Sequence, residues 1–281
     1  MTVFDLPAVD ALIKAALAED VGAGDLTTQL TVAPERQARA EIRAKCEAVV
    51  AGMPLIRKVC DAAGGGIVVE EVVRDGTQVK PGDVLARLSG SAHVLLSAER
   101  LILNLLQQLS GVATLTSRFV EAAHTTNCRI IDTRKTVPGL RVLQKYAVRA
   151  GGGHNHRLGL ADGILIKNNH ITAAGGITPA VRAARANAPH VYKVEVECRT
   201  LGEVDEALAA GAEAILLDNM TPAQLTAAVK HIAGRAITEA SGGVNLDSVR
   251  HIAASGVDLI SVGALTHSAP AVDLHMLLSL V

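Results

Sequence analysis

Hydrophobic and polar positions along this chain follow two regimes. From Asp5 to Ala18, Leu6, Val9, Ile13 and Leu17 recur on one face at helical spacing. Glu19 to Thr28, with Gly22 and Gly24, breaks that pattern as a loop. Short β-prone runs then fill Arg39 to Val50 and Ile67 to Leu88, punctuated by Asp75-Gly76 and Pro81-Gly82-Asp83. These features predict an antiparallel sheet with helices beside it. Ser97 to His124 reads as one long or broken amphipathic helix anchored by Leu101, Leu105, Leu109, Val112 and Leu115.

From Arg129 the period changes to short apolar runs alternating with helical segments, the signature of parallel βα units. The expected strands are Arg129–Ile131, Ile164–Ile166, Val191–Val196, Ala214–Leu217, Ala236–Thr238 and Leu259–Val262. Thr178-Pro179 and Thr221-Pro222 each offer a capping side chain followed by proline at a helix start, and Asn245 offers a similar cap. Six strands fall short of a closed eight-stranded barrel. A seventh would have to lie in a stretch that reads as loop.

Composition narrows the class. With 281 residues, 49% hydrophobic, the chain can bury a large core and is not disordered. Aromatic content is 1%, without tryptophan, so that core must be aliphatic and base-stacking platforms for single-stranded nucleic acid are nearly absent. A net charge of -1 and a pI near 6.8 lack the basic footprint of a DNA binder. Cys46, Cys60, Cys128 and Cys198 are widely spaced, which fits reduced, mostly buried thiols. Met1 to Asp10 lacks the basic start of a secretory signal, and no run reaches membrane-spanning length. The expectation is a soluble cytoplasmic protein without nucleic-acid or membrane partners.

Charge is nearly balanced overall but not locally. Arg129 to His170 holds eight Lys or Arg against Asp132 and Asp162. Asp132-Thr133-Arg134-Lys135 follows one apolar strand, Lys167 follows another, and Gly151-Gly152-Gly153-His154-Asn155-His156-Arg157 lies between. Cations at strand ends beside a glycine-rich turn suit an anionic ligand, since glycine backbone can approach phosphate or carboxylate closely. The other strand ends bring Glu197, Asp218-Asn219, Glu239 to Gly243, and Gly263-Ala264. In αβ-barrels such ends converge on one mouth. Glu195 and Glu197 share a face by strand alternation, and Glu197, nearer the end, is the better candidate. With Asp218 it could hold a hydrated Mg²⁺, or each acid could pair with Lys167 or Arg157. Ser241-Gly242-Gly243 and Gly263-Ala264 are placed to hold phosphate through loop amides. His154 and His156 lack a carboxylate or thiolate set for zinc, so anion donation or a structural role is expected. Arg100, next to Glu99, taken alone reads as a surface ion pair.

At Glu19-Asp20 to Thr28, Gln107 to Thr114, DTRKT with PGLR, GGGHNHR, LIKNNH, VEVE, LDNM, EASGG and SVGALTHS, the chain resembles the quinolinate phosphoribosyltransferase family. The resemblance implies a type II phosphoribosyltransferase fold, an N-terminal α/β sandwich joined to an open seven-stranded α/β barrel. On that basis residues 1–115 would form the sandwich, with 270–281 packing back on it, and 116–269 the catalytic barrel. It implies Mg²⁺-dependent conversion of quinolinate and phosphoribosyl pyrophosphate to nicotinate mononucleotide, pyrophosphate and CO₂, a step of de novo NAD biosynthesis. Catalysis would fall to Lys135, Glu197 and Asp218, with Mg²⁺ and ribose held by Glu197 and Asp218. Substrates would contact Thr133, Arg134, Lys135, His156, Arg157 and Lys167, with phosphate at Ser241, Gly242, Gly243, Val262, Gly263 and Ala264. A homodimer is implied, Arg100 reaching the partner's site. Asn168 departs from the family's usual acid and removes one negative charge near Lys167. The alternatives are a phosphoribosyltransferase for another aromatic carboxylate and a non-catalytic phospho-ligand binder.

Overall fold

The structure is a computed structural model that describes residues 2–280. After a 3₁₀ turn come α1 (Pro7–Asp20), α2 (Leu26–Thr31), β1 (Gln37–Ala44), β2 (Ala48–Val49), α3 (Pro54–Ala62), β3 (Val68–Glu71), β4 (Gln78–Val79), β5 (Val84–Ser91) and α4 (Ala92–Ala123). The βα units follow: β6 (Arg129–Ile131), α5 (Arg141–Ala150), β7 (Ile164–Ile166), α6 (Asn168–Ala174), α7 (Ile177–Asn187), β8 (Val194–Cys198), α8 (Leu201–Ala210) and β9 (Ala214–Asp218). The chain closes with α9 (Pro222–Ile232), β10 (Ile237–Ser241), α10 (Leu246–Ala253), β11 (Leu259–Ser261), α11 (Ala264–His267) and β12 (Leu274–Leu280).

The chain packs as two compact units, one of Met1–Ser117, Val137–Gly152 and Ala269–Val281, the other of Arg118–Thr136 and Gly153–Ser268. The first unit is built on an antiparallel sheet in the order β12-β1-β5-β3. On β1 alternate residues Ala38, Ala40, Ile42 and Ala44 are buried, while Glu41 on the other face pairs with Arg43 and Arg87. Its core is aliphatic, as the shortage of aromatics requires, with Ile42, Leu85, Ile56, Leu95, Leu106 and Leu109 fully buried. The segment Val137–Gly152, which the sequence placed in the barrel, packs here instead. Phe4 meets Tyr146 edge to face at 4.7 Å, and Tyr146 Oη donates to Asp75 Oδ2 at 2.6 Å. Burial and that carboxylate push the Tyr146 phenol pKa up.

The second unit is built on a parallel sheet in the order β6-β11-β10-β9-β8-β7. Among these strands β6 pairs only with β11 and β7 only with β8, so the sheet is open. The six strands expected from sequence all form, β6 and β7 with the expected limits. In place of a seventh strand, a single parallel bridge joins His154 to Ile131. Thr221 caps α9 by accepting from Gln224 N, and Asn245 caps α10 by accepting from Asp247 N and Ser248 N. Thr178 is not a cap, because α7 starts earlier, after Gly176; its N–H and hydroxyl both donate to Glu206 Oε1. No helix among the described residues is long and apolar enough to cross a membrane.

Candidate active site

Parallel register decides which side chains share a face. Paired residues in adjacent parallel strands point the same way, and alternate residues along a strand return to that face. Leu165 pairs with Glu195, Glu197 with Leu216, Leu216 with Glu239, and Asp218 with Ser241. One sheet face therefore displays Leu165, Glu195, Glu197, Leu216, Asp218, Glu239 and Ser241. A cavity on this face is lined by Thr133, Arg134, Lys135, His156, Arg157, Leu165, Lys167, Leu216, Glu239, Ser241 and Ser261.

The loop after β6 supplies the first cations. Lys135 N donates to Thr133 Oγ1 at 3.0 Å and Thr136 N to Arg134 O at 3.0 Å, a tight turn that aims Arg134 and Lys135. Thr266 Oγ1 anchors it by donating to Lys135 O at 2.7 Å. Gly263 leaves room for Lys135, whose Cδ would lie 3.0 Å from a β-carbon there.

Buried Asp132 ties this loop to the next. Its carboxylate accepts from Asn155 Nδ2 at 2.5 Å and from His156 N at 2.9 Å. The neighbouring ladder, Asp132 N to His154 O and His154 N to Ile130 O, fixes the approach. Arg157 Nη1 then donates to Gly163 O at 2.9 Å. Burial, and next the charge of Arg134, draw the Arg157 pKa below its ordinary value.

His156 has protein partners at both ring nitrogens, which agrees with the structural role the sequence offered beside anion donation. Its Nδ1 accepts from Arg157 N at 2.6 Å, so the ring proton resides on Nε2. That nitrogen faces Glu195 Oε2 at 3.3 Å and Glu239 Oε2 at 3.7 Å. Glu239 is 1% exposed, its Oε1 has no hydrogen-bond partner, and burial followed by the charge of Glu195 raises its pKa well above the carboxylate range. The three ligand atoms lie within 4.8 Å of one another and could surround a metal ion. Strand-end reasoning reached Glu239 only as an end residue and set Glu195 behind Glu197, so it did not foresee that the two meet at His156. Glu239 looked like an end residue, whereas β10 continues to Ser241 and carries it into the interior.

Glu197 and Asp218 come together as expected, yet neither lines the cavity. Their partner is Arg199, not Lys167 or Arg157: Nη2 lies 3.7 Å from Glu197 Oε1 and Nε 3.4 Å from Asp218 Oδ2. Two carboxylates that share one guanidinium can share one metal cation, so the pair fits a hard divalent ion.

Among the phosphate candidates, Ser241 lines the cavity. Gly242 adopts φ +102°, and a β-carbon there would fall 2.2 Å from Asn219 Oδ1. Gly243 is also left-handed, at φ +59°. Val262 has no free amide to offer, since its N–H donates to Ile131 O and its side chain is buried; Gly263 and Ala264 follow it, half-buried. Gly151 has a structural reason to be glycine, since a β-carbon there would lie 2.3 Å from Ala113 O of α4, and none of the three glycines lines the cavity. Arg100 is exposed on α4, in the first unit, and is not among the lining residues.

Comparison with known proteins identifies the family. The profiles described as quinolinate phosphoribosyl transferase, N-terminal and C-terminal domains, match residues 25–110 and 112–277. The chain is 44% identical over 270 residues to a nicotinate-nucleotide pyrophosphorylase (carboxylating) of Mycobacterium leprae, covering 94% of this chain and 95% of that one. It is 44% identical over 292 residues to the chloroplastic enzyme of that name from Arabidopsis thaliana, covering 97% and 82%. It superposes on a crystal structure of NadC from Streptococcus pyogenes with a TM-score of 0.94 at 39% identity, covering 100% and 99%. The chain belongs to the quinolinate phosphoribosyl transferase family.

Proposed function

We propose that this chain transfers the phosphoribosyl group of phosphoribosyl pyrophosphate to quinolinate with decarboxylation, giving nicotinate mononucleotide, pyrophosphate and CO₂ for NAD biosynthesis. The observation that carries this reading is the gathering of Arg134, Lys135, Arg157 and Lys167 around one cavity over the ends of the parallel strands. Quinolinate has two carboxylates and its cosubstrate a phosphate and a pyrophosphate. Bringing such anions into contact requires fixed positive groups that need no reorganisation.

Quinolinate carboxylates bind Arg134, Arg157 and Lys167, whose charged N–H groups grip planar anions strongly. Lys135 faces the phosphate groups, beside Ser241 and the Gly242-Gly243 and Gly263-Ala264 turns. Departure of pyrophosphate leaves positive charge at ribose C1, which the carboxylates of Glu197 and Asp218 stabilise while holding ribose hydroxyls. Glu197 and Asp218 would hold a Mg²⁺ ion, which would supply neutralisation of the leaving group when bound. The pyridine nitrogen attacks with its own lone pair, so no general base is required. The C2–carboxyl bond then breaks, its electron pair remaining beside the positive ring nitrogen until C2 takes a proton. His156 lines the site and locks the Arg157 loop onto the buried glutamates. Arg100 serves the site of a second copy in a homodimer.

Incubation with quinolinate, phosphoribosyl pyrophosphate and Mg²⁺ tests the proposal. One CO₂ should appear per nicotinate mononucleotide. Nicotinate in place of quinolinate should give neither product, and turnover of nicotinate alone would overturn the assignment.

A further inference from the structure

Arg199 lies outside every motif discussed above, yet it is the cation the structure sets against Glu197 and Asp218. The two acids are largely buried, their side chains 11% and 16% exposed, whereas that of Arg199 is 55% exposed. Its backbone is pinned. Arg199 N donates to Glu203 Oε2 at 2.5 Å, and Thr200 caps the same turn of α8 by accepting from Glu203 N. The side chain is therefore anchored at its base while its head reaches across from β8 to the end of β9. Separations of 3.4 and 3.7 Å at a half-exposed head describe an ion pair that solvent screens and that a competing cation can displace. A guanidinium carries one positive charge and a divalent metal two, and both seek the same oxygens.

We infer that Arg199 competes with the divalent cation for Glu197 and Asp218 and thereby sets the metal affinity of that site. The inference rests on the proposed reading of these two acids as cation ligands. In the metal-free protein Arg199 neutralises the acids and keeps them from repelling each other. Metal binding turns its head outward to solvent without moving its backbone.

The test is an electron paramagnetic resonance titration of the full-length protein with Mn²⁺, at fixed ionic strength and without substrates. It compares wild type, Arg199→Ala, Arg199→Lys and the double variant Glu197→Gln/Asp218→Asn. Arg199→Ala should bind Mn²⁺ roughly five- to tenfold more tightly, about what removal of two half-exposed ion pairs allows. Arg199→Lys, which keeps the charge, should stay near wild type. The double variant should lose the site. If it loses the site while Arg199→Ala binds no more tightly than wild type, the competition is refuted and the acid pair stands as the metal site. If the double variant binds Mn²⁺ as wild type does, the acid pair is not the ligand set and the inference falls with it.

Discussion

Replacing Glu239 by glutamine should stabilise the protein, and more so as pH rises. Glu239 is 1% exposed, beside Glu195 and His156 Nε2. Burial first, then the Glu195 charge, raise its carboxyl pKa well above the ordinary 4.5. The folded chain thus holds this proton more tightly than the unfolded chain. Between 4.5 and the folded value the native state binds more protons, so stability falls as pH rises through that window. At about 1.36 kcal/mol per pH unit, the roughly 2.5 units from 4.5 to 7 set a ceiling of about 3.4 kcal/mol on the loss at pH 7. Glutamine mimics the protonated acid, since its amide can donate to Glu195 and its oxygen can accept from His156 Nε2. Urea-denaturation midpoints of both proteins, taken from pH 4 to pH 7, measure the difference. The variant should match wild type near pH 4 and exceed it progressively above pH 5. A difference that stays flat with pH would refute the protonated-carboxyl reasoning.

Arg134→Ala should weaken quinolinate binding by about 1.5–3 kcal/mol, the worth of a hydrogen bond to a charged group, with circular dichroism unchanged; calorimetry showing wild-type affinity would remove Arg134 from the site. Gly242→Ala should lower stability by about 1–3 kcal/mol, because a side chain there must hold a left-handed φ and displace Asn219. Thermal melts unchanged from wild type would contradict that packing. Mixed dimers of an Arg100→Ala chain with an Arg134→Ala chain should recover activity that neither pure variant shows. Rates equal to the sum of the two variants alone would exclude a shared site.

Much of this architecture was legible because it rests on periodicity. The limits of β6 and β7 follow from three-residue apolar runs flanked by polar loops, and Thr221-Pro222 and Asn245 announce helix starts by chemistry that needs no tertiary context. Val191 illustrates the opposite: apolar and adjacent to a strand, it is 72% exposed in a turn, and β8 starts only at Val194. Thr178-Pro179 has the composition of a cap, but Glu206 on α8 takes both Thr178 donors. Arg134, Lys135, Arg157 and Lys167 were readable as a set because strand ends converge in barrels whatever the pairing. The interior position of Glu239 was not, because recognising it requires the register that places it beside Leu216 on the inner face. Nor was Arg199, since nothing local marks an arginine that turns back along its strand to reach an acid on the next. The triple glycine misled for a related reason. The missing side chain of Gly151 admits the backbone of Ala113 on α4.

The central claim is that three fixed cations, Arg134, Arg157 and Lys167, bind a dianion, and equilibrium binding tests it most directly. Quinolinate and nicotinate differ by one ring carboxylate, so each is titrated calorimetrically into the protein at one ionic strength. The account predicts tighter binding of quinolinate by at least about tenfold, the value of one additional charge-assisted hydrogen bond. Equal affinities for the two acids would contradict it.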